Sequence, residues 1–213
     1  MHLKDLQLQT YFPTVIGAVD YTNYDSVKEK YIKLESQLPH DNVGVCYYSF
    51  HNDENFKDLF NWIELNVNLF AKAHKFPDTY KIGESWSFDY PINTNQAFHT
   101  HDGWIISGVF YLNVHESDTG TTFKTPIKDM QNPLGVNAYT SEENKFYNDY
   151  TYKTIDYYPK NGRLVLFRSY VEHEVKAKQD NGFKRTIISF NCHNENYVNN
   201  YEQGDLCVKI IYK

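Results

Sequence analysis

The sequence predicts a mainly β protein, a sandwich or jelly roll with flanking helices, and two observations lead to this expectation. From residue 80 onward, short apolar segments with an alternating pattern follow one another, separated by turn sequences that contain Gly, Asn or Pro. Aromatic residues are abundant (19 Tyr, 14 Phe and 3 Trp), which favours sheet surfaces over helical bundles. Many short strands at near-regular spacing are typical of sandwiches and jelly rolls.

The first third of the chain is predicted to combine strands with two helices. Residues 1–19 begin with an alternation that predicts an edge strand, and residues 43–50 alternate in the same way. Apolar residues recur at helical spacing over residues 23–37, which predicts a first helix. A second helix is predicted from Asn52–Glu54 to about Ala73. Its wide apolar stripe indicates that it braces the back of a sheet.

The rest of the chain is predicted to form strands joined by turns. Residues 159–162 and 180–182 carry the Asn-Gly sequence of tight turns. The long polar segment Pro126–Asp149 is a predicted loop, and loops of this length in a compact domain are commonly functional or mobile. The predicted strands are 80–90, the stretch around His99, 104–114, 121–124, 150–158, 163–168, 171–177, 184–192 and a last edge strand at 206–212.

Length and charge limit the classes of function. A chain of 213 residues fits a single domain, with N-terminal strands and bracing helices (1–79), a jelly-roll core (80–193) and a C-terminal edge (194–213). The 21 Lys and Arg against 27 Asp and Glu give a net charge of −6. This charge, without a basic run, argues against a nucleic-acid partner.

Compartment is predicted from cysteines and from apolar runs. No window approaches the roughly 18 continuous apolar residues that a membrane span needs, so no membrane partner is expected. The N-terminus lacks the pattern of a secretory signal. Three cysteines, Cys46, Cys192 and Cys207, form no C-x-x-C motif and indicate reduced thiols in the cytoplasm.

A candidate metal site lies in the stretch Phe98–Gly103. Alternate side chains of an extended segment share a face, so His99 and His101 point the same way and form half of a metal site. The apolar run 105–112 follows as a buried strand. His173, about seventy residues later and beside another buried strand, is the candidate third ligand. From the residues alone, the alternative is a set of structural or solvated histidines.

A candidate anion-binding residue, Arg185, begins the apolar strand that runs to Asn191. Arg185, Ile187, Ser189 and Asn191 share one face of this strand. Burial of an unpaired charge is costly, and the planar guanidinium suits a carboxylate in two-point contact. The alternative is that Arg185 pairs with a surface glutamate.

Together these motifs resemble the 2-oxoglutarate and Fe(II)-dependent oxygenases. The resemblance runs from about Tyr80 to Asn191 in the family's order, through His-x-His, the strand 107–112, the turn and strand 162–169, and the strand that Arg185 begins. It is most specific to a subfamily of uncharacterised, prolyl-hydroxylase-like oxygenases common in marine bacteria and their phages.

The resemblance implies a fold, cofactors and an activity. The fold would be a double-stranded β-helix, the cupin-like form of the jelly roll. The cofactors would be Fe(II), 2-oxoglutarate as co-substrate, and O₂. The activity would be that of a dioxygenase that hydroxylates a peptidyl (for example prolyl) or small-molecule substrate with release of succinate and CO₂. The location would be cytoplasmic (host cytoplasm if viral), and oligomerisation is left open.

The resemblance also assigns the iron ligands. His99 and His101 match the proximal ligands and His173 the distal one. Most of the superfamily has His-x-Asp, however, whereas here the residue two after His99 is His101, and Asp102 lies one place off. Two ligand sets therefore remain: three histidines, which we prefer, or a set in which Asp102 replaces one of them.

Three further residues are matched to 2-oxoglutarate. Arg185 matches the partner of its distal carboxylate, Ser189 the hydroxyl that assists the arginine, and Tyr111 a second hydrogen bond to the same carboxylate. The family often has a small hydroxyl residue two positions after the arginine, where this chain has Ile187. This departure gives Ser189 a larger share of the predicted contact.

Two other functions are compatible with the residues. A zinc hydrolase would use the three histidines with Glu172 or Glu174 as general base, but it leaves Arg185 without a role. A non-enzymatic jelly-roll binding or virion-associated module would carry a vestigial site. That alternative is favoured if His101 and His173 lie too far apart to share a metal.

Overall fold

The computed structural model describes residues 13–37, 46–90, 93–127, 153–177 and 182–196. Four expectations therefore fall outside the described residues, wholly or in large part. They concern the edge strand before residue 13, the long loop after residue 127, the tight turn at 180–182 and the last strand at 206–212. Cys207 also lies outside.

The elements follow the predicted order. The helices are α1 (Tyr24–Glu35) and α2 (Lys57–Ala73), and two short 3₁₀ helices (Phe50–Asn52 and Glu54–Phe56) precede α2. The strands are β1 (Ile16–Asp20), β2 (Cys46–Tyr48), β3 (Tyr80–Tyr90), β4 (Gln96–His99), β5 (Ile106–Asn113), β6 (Thr121–Lys124), β7 (Thr154–Tyr157), β8 (Arg163–Arg168), β9 (His173–Val175) and β10 (Arg185–Asn194).

The strands form two antiparallel sheets. The larger sheet has six strands in the order β1-β8-β5-β10-β3-β2, and the smaller has four in the order β4-β9-β6-β7. Buried apolar side chains from both sheets share one core, which includes Tyr111 of β5, Phe123 of β6, Phe167 of β8 and Ile187 of β10. The predicted mainly β jelly roll is confirmed.

The helices cover the other face of the six-stranded sheet. The apolar stripe of α2 is buried and packs with Val27 and Tyr31 of α1 against the outer side chains of β3, β5, β8 and β10. Each fully buried side chain of this size stabilises the fold by about 1.5–3 kcal/mol. The helix therefore braces the sheet as its stripe predicts. The buried residues of α2 are Leu59, Phe60, Ile63, Val67, Phe70 and Ala71.

The start of α2 differs from the prediction. The helix begins at Lys57 and not at Asn52–Glu54. The side chain of Asp53 accepts a hydrogen bond from the backbone N–H of Asn55, which caps the 3₁₀ helix Glu54–Phe56. Because the carboxylate of Asp53 caps this 3₁₀ helix, the α-helix begins only after Phe56.

Strand β10 lies between β5 and β3 at the centre of the larger sheet. Its side chains alternate between the two faces: Ile188 and Phe190 enter the helix-side core, whereas Ile187 enters the core between the sheets. A β-bulge between Asn191 and Cys192 shifts its pairing with β3. This strand thus couples the helical brace to the interior of the jelly roll.

The structure describes the thiol of Cys192 and the lengths of the helices. Cys192 is a free thiol and is fully buried in the helix-side core. No helix within the described residues is both long and apolar enough to cross a membrane.

Gly108 of β5 allows close packing at the centre of the sheet. A Cβ atom at this position would lie 2.3 Å from Cζ of Phe190, whose ring is fully buried. We expect Gly108→Ala to lower the free energy of unfolding by about 1–3 kcal/mol, because the ring has no free space into which to move. Urea unfolding measures this loss.

The matched control combines Gly108→Ala with Phe190→Leu. Removal of the ring relieves the clash. The double variant should therefore lose less unfolding free energy than the two single variants together, by about 0.5–3 kcal/mol. Strict additivity of the two losses would contradict contact between these residues.

Candidate metal centre

Three histidine side chains converge between the two sheets. Ligating nitrogens of His99, His101 and His173 all lie within 4.8 Å of one another. The Nε2 atoms of His101 and His173 are 3.3 Å apart. His99 and His101 are partly exposed, whereas His173 is buried, so the group opens toward solvent on one side. Of the described residues, these three form the group that could hold a metal ion.

Strand pairing brings His99 and His173 together. In the antiparallel pair of β4 and β9, His99 lies opposite His173 and Gln96 opposite Val175. Three steps along β4 therefore match two steps along β9, which defines a β-bulge. The extra residue turns His99 to the same face as His173.

His101 reaches the group from the turn that follows β4. Its backbone N–H donates to the carbonyl oxygen of Ser169, at the end of β8, with an N–O distance of 3.0 Å. The prediction that His99 and His101 share a face assumed that both lie on one continuous strand. Here β4 ends at His99, and the contact with Ser169 holds His101 instead.

Backbone carbonyls fix the rings of two of the histidines. Nδ1 of His99 lies 2.8 Å from the carbonyl oxygen of Ala97, and Nδ1 of His173 lies 2.9 Å from that of Val171. A carbonyl only accepts, so in both rings Nδ1 carries the proton and the lone pair of Nε2 faces the group. A hydrogen bond from the ring nitrogen that does not bind metal is the usual way to orient a metal-binding imidazole.

Burial keeps two of the imidazoles neutral. It lowers the pKa of His173 to about 3, although the hydrogen bond to Val171 raises that pKa in part. Burial, with a smaller contribution from His99, also lowers the pKa of His101 to about 4. A neutral imidazole is the metal-binding form, so protons do not compete for these nitrogens at pH 7.

The distances suit a transition metal ion. Metal–imidazole bonds are about 2.0–2.1 Å long, so two ligand nitrogens lie about 2.8–3.0 Å apart at an octahedral angle and about 3.3–3.4 Å apart at a tetrahedral angle. The Nε2 separation of 3.3 Å between His101 and His173 falls in the second of these ranges. Asp102, the alternative ligand, is exposed, and its carboxylate accepts a hydrogen bond from the hydroxyl of Thr100. It does not belong to the converging group.

A pocket opens onto the three histidines. Its walls are largely apolar and aromatic, and they include Trp86, Phe167 and Ile187. The ring of Trp86 lies 6.1 Å from that of His101. Ser189 of β10 adds a hydroxyl group to the lining. Apolar walls with a few polar groups are typical of small-molecule sites.

Arg185 is buried close to this pocket with an incomplete set of partners. Only 1% of its surface is exposed, and its guanidinium lies 4.2 Å from the centre of the Tyr90 ring, which lines the pocket. Nη1 donates to the backbone and side-chain oxygens of Thr119, and Nη2 to the carbonyl of Lys176. Nε has no partner among the described residues. Burial lowers the pKa of this guanidinium.

No ion pair in the described part of the chain includes Arg185. The sequence-based alternative, a surface arginine paired with a glutamate, therefore does not match the structure. Buried Asp118 interacts electrostatically with this guanidinium. Desolvation of a guanidinium is costly, so an anionic ligand in direct contact with it would be bound strongly.

The two other residues matched to 2-oxoglutarate lie on neighbouring strands, Tyr111 on β5 and Ser189 on β10. The hydroxyl of Tyr111 lies 2.8 Å from that of Thr121 and accepts from the backbone N–H of the same residue. Burial raises the pKa of Tyr111 to about 12, so it stays protonated. Ser189 lies four residues from Arg185 along β10, roughly 13 Å at the usual strand rise. The structure gives the Arg185 guanidinium hydrogen bonds to Thr119 and Lys176, and none to Ser189.

Comparison with protein families matches this region to one family. The family described as "Putative 2OG-Fe(II) oxygenase" matches residues 84–191, slightly more than half of the chain. The chain belongs to the 2OG-Fe(II) oxygenases. The matched segment contains all three histidines, Arg185 and Asn191. No curated protein matches the sequence significantly.

Solved structures of this oxygenase class share the fold. HygX from Streptomyces hygroscopicus, with nickel and 2-oxoglutarate bound, is 13% identical with a TM-score of 0.59, covering 85% of this chain and 83% of its own. A Pseudomonas putida prolyl-4-hydroxylase is 14% identical with a TM-score of 0.54, covering 84% and 92%. The collagen prolyl hydroxylase of Paramecium Bursaria Chlorella virus-1 is 12% identical with a TM-score of 0.53, covering 83% and 94%. At these identities the likeness establishes a common fold.

Some residues of this oxygenase site were not singled out from the sequence. Asn191 contacts Nδ1 of His101, and Glu84 contacts Asn191. Thr119 binds Arg185, and Thr121 binds Tyr111. Strand alternation placed Asn191 on the face of Arg185, which was the available signal. The roles of Glu84 and the threonines depend on strand pairings that the sequence does not reveal.

The shifted histidines predict how stability depends on pH. Unfolding returns the pKa values of His173 and His101 from about 3 and about 4 to the ordinary 6.5, so the unfolded chain binds more protons below neutral pH. Stability should therefore fall as pH decreases from 7 to 5. Urea unfolding in the presence of a chelator, so that no metal masks the histidines, measures this loss.

The variant His173→Gln tests the origin of the pH dependence. Glutamine does not titrate, so the variant should lose less stability between pH 7 and pH 5 than the unmodified protein. An equal loss in both proteins would show that His173 does not contribute.

Proposed function

We propose that this oxygenase is an Fe(II)- and 2-oxoglutarate-dependent dioxygenase. It would hydroxylate a peptidyl (for example prolyl) or small-molecule substrate and release succinate and CO₂. One observation carries the proposal: three imidazoles converge beside a pocket, and a buried arginine with no ion pair among the described residues lies close to the same pocket. Metal ligands and an anion receptor are the two groups that binding of 2-oxoglutarate at a metal requires.

We propose His99, His101 and His173 as the iron ligands. Fe(II) bound here would supply the activation of O₂, which no protein side chain can perform. The chain itself contributes three imidazole rings, two of them oriented by backbone carbonyls so that the lone pair of Nε2 faces the group. The three-histidine set is supported by the convergence of these rings and by the exposed position of Asp102. A fully neutral ligand set leaves more positive charge on the metal than a set with one carboxylate.

Arg185 is the proposed partner of the distal carboxylate of 2-oxoglutarate. Its guanidinium is desolvated, and its Nε has no hydrogen-bond partner among the described residues. Buried Asp118 acts on it electrostatically, and the co-substrate would add a carboxylate in direct contact. Tyr90 supports the guanidinium from one side, and Thr119 holds Nη1. The arginine is therefore held in place before the co-substrate arrives, which reduces the entropy lost on binding.

Hydroxyl groups complete the proposed co-substrate site. Tyr111 remains protonated and can donate to a carboxylate, with Thr121 as its present partner. Ser189 lines the pocket and lies on β10 between Arg185 and Asn191, the residue that contacts His101. We therefore propose that Ser189 contacts 2-oxoglutarate itself and does not act through the guanidinium.

The pocket leaves room for a substrate next to the metal. Trp86 and Phe167 form apolar walls beside the histidines, and such walls exclude water from the reacting atoms. Structural relatives represent both proposed substrate classes: HygX has been solved with the small molecule hygromycin B bound, and two others are prolyl hydroxylases. We further propose that the whole chain forms one domain, with residues 80–193 as its catalytic core.

The structure supports the zinc-hydrolase alternative less well. Glu172 forms an ion pair with Lys124 at 2.8 Å, and Glu174 lies next to His173 on β9, where adjacent side chains point to opposite faces. Neither carboxylate lines the pocket. Distant histidines would have favoured the binding-module alternative, whereas His101 and His173 lie 3.3 Å apart.

Turnover of 2-oxoglutarate tests the proposed activity. The purified protein, loaded with Fe(II) under anaerobic conditions and then exposed to O₂, should form succinate slowly without added substrate. His173→Ala should abolish this reaction, because the two remaining histidine ligands are too few to hold the metal. Arg185→Gln should raise the KM for 2-oxoglutarate at least about thirtyfold, because loss of one partner of a buried charge pair costs about 2 kcal/mol or more.

Arg168→Gln provides the matched control for the arginine. The guanidinium of Arg168 lies over the rings of Phe76 and Tyr170 and does not line the pocket, so this variant should keep the KM of the unmodified protein. Absence of succinate from the iron-loaded protein, or an unchanged KM in Arg185→Gln, would contradict the proposal.

A further inference from the structure

His101 differs from the other two histidines in what holds its ring. His99 and His173 each donate Nδ1–H to a backbone carbonyl, which permits one tautomer. Nδ1 of His101 instead lies 3.2 Å from the side-chain amide of Asn191. An amide presents either a donor or an acceptor, depending on how it is turned, so this contact permits both tautomers of His101.

The amide of Asn191 belongs to a buried polar network. Asn191 is fully buried, and its Oδ1 accepts from the hydroxyl of Ser107 at 2.6 Å. Ser107 also contacts the hydroxyl of Ser169 at 2.8 Å, and Ser169 binds the backbone of His101. Nδ2 of Asn191 donates to Glu84 at 2.5 Å. The β-bulge between β3 and β10 falls at this pair, since Asn191 lies opposite Glu84 and the next residue, Cys192, lies opposite Ile82.

In the arrangement described, the network favours one tautomer. Nδ2 of Asn191 faces Nδ1 of His101, so Nδ1 accepts and the ring proton sits on Nε2, which lies 3.3 Å from Nε2 of His173. Coordination of a metal through Nε2 of His101 requires the opposite: a free lone pair on Nε2 and a proton on Nδ1. That proton then needs an acceptor, and a half-turn of the Asn191 amide presents Oδ1 to it.

We propose that Asn191 is the positioning residue of His101, and that Glu84 sets how readily the Asn191 amide turns to the orientation in which His101 binds metal. This inference rests on the proposed metal site and adds a regulatory contact to it. Asn191 acts through His101 and does not itself touch the metal.

The partners of Asn191 respond differently to the half-turn. Ser107 can accept from Nδ2 as readily as it donates to Oδ1, because a hydroxyl does both, and its contact with Ser169 reverses with it. The carboxylate of Glu84 only accepts. After the half-turn it would face Oδ1, so the carboxylate of Glu84 must move away from the amide. Glu84 therefore opposes the metal-binding orientation, whereas Asn191 makes it available.

Opposite changes in metal affinity test this inference. Asn191→Ala leaves Nδ1–H of His101 without an acceptor and should weaken Co(II) binding about 10–100-fold, the usual effect of losing a second-layer partner. Glu84→Gln can donate to Oδ1 after the half-turn and should strengthen Co(II) binding by about fivefold, which corresponds to one ordinary hydrogen bond. Competition with a chromophoric chelator measures both constants, and the visible spectrum of bound Co(II) reports any change in geometry.

The controls separate positioning from general damage. Asn68→Ala also removes partly buried side-chain hydrogen bonds, to the backbone of Tyr80 and Glu64 on the helix side, and should leave Co(II) affinity unchanged. A purely structural network would make Asn191→Ala and Glu84→Gln weaken binding together. If Asn191→Ala does not fold, Glu84→Gln alone decides, because Glu84 is partly exposed.

The outcomes are distinct from those that test the proposed function. Unchanged affinity in Asn191→Ala, or unchanged or weaker affinity in Glu84→Gln, would overturn the inference while the unmodified protein still binds metal. Failure of the unmodified protein to bind any divalent ion would instead contradict the proposed function itself.

Discussion

The alternation of side chains along β10 is the constraint on which the rest of this structure depends. One face of the strand enters the core beneath α1 and α2, where Phe190 and Cys192 are fully buried. The other face presents Arg185, Ser189 and Asn191 toward the site between the sheets. Because neighbouring residues of a strand must point to opposite faces, tight packing against the helices fixes the spacing of the functional groups. The helices therefore contribute to the site although they are not part of it.

Two buried polar side chains in this jelly roll lie beside the candidate metal centre and its pocket. Arg185 lies in the interior with an unpartnered Nε, and Asn191 contacts a histidine that has no fixed tautomer of its own. Buried polar groups normally have complete sets of partners, because an unsatisfied one costs about 1–3 kcal/mol. The incomplete set at Arg185 is explained if an anionic ligand completes it. The site is thus partly assembled before a ligand binds. The packing of the surrounding sheets offsets the unfavourable free energy of burying these polar groups.

Much of the fold was predictable, because strands and helices leave local patterns. The strands at 80–90, 121–124 and 163–168 lie where alternation placed them, and the stripe of α2 is buried as predicted. The start of α2 was wrong because Asp53 caps a 3₁₀ helix first, and both starts look alike in sequence. The convergence of His99, His101 and His173 matched the expectation. The environment of Arg185 did not match a surface ion pair, since burial depends on the whole fold.

The sequence by itself determined the chemical inventory and the family: a His-x-His motif, a distant histidine and an arginine that begins an apolar strand. Only the tertiary structure decided which nitrogens face one another and what holds each ring. The bulge that brings His99 opposite His173, and the bulge that brings Glu84 opposite Asn191, both arise from strand register. Register is set by pairing between segments far apart in the chain. A one-residue shift changes which side chains meet but leaves each local pattern intact.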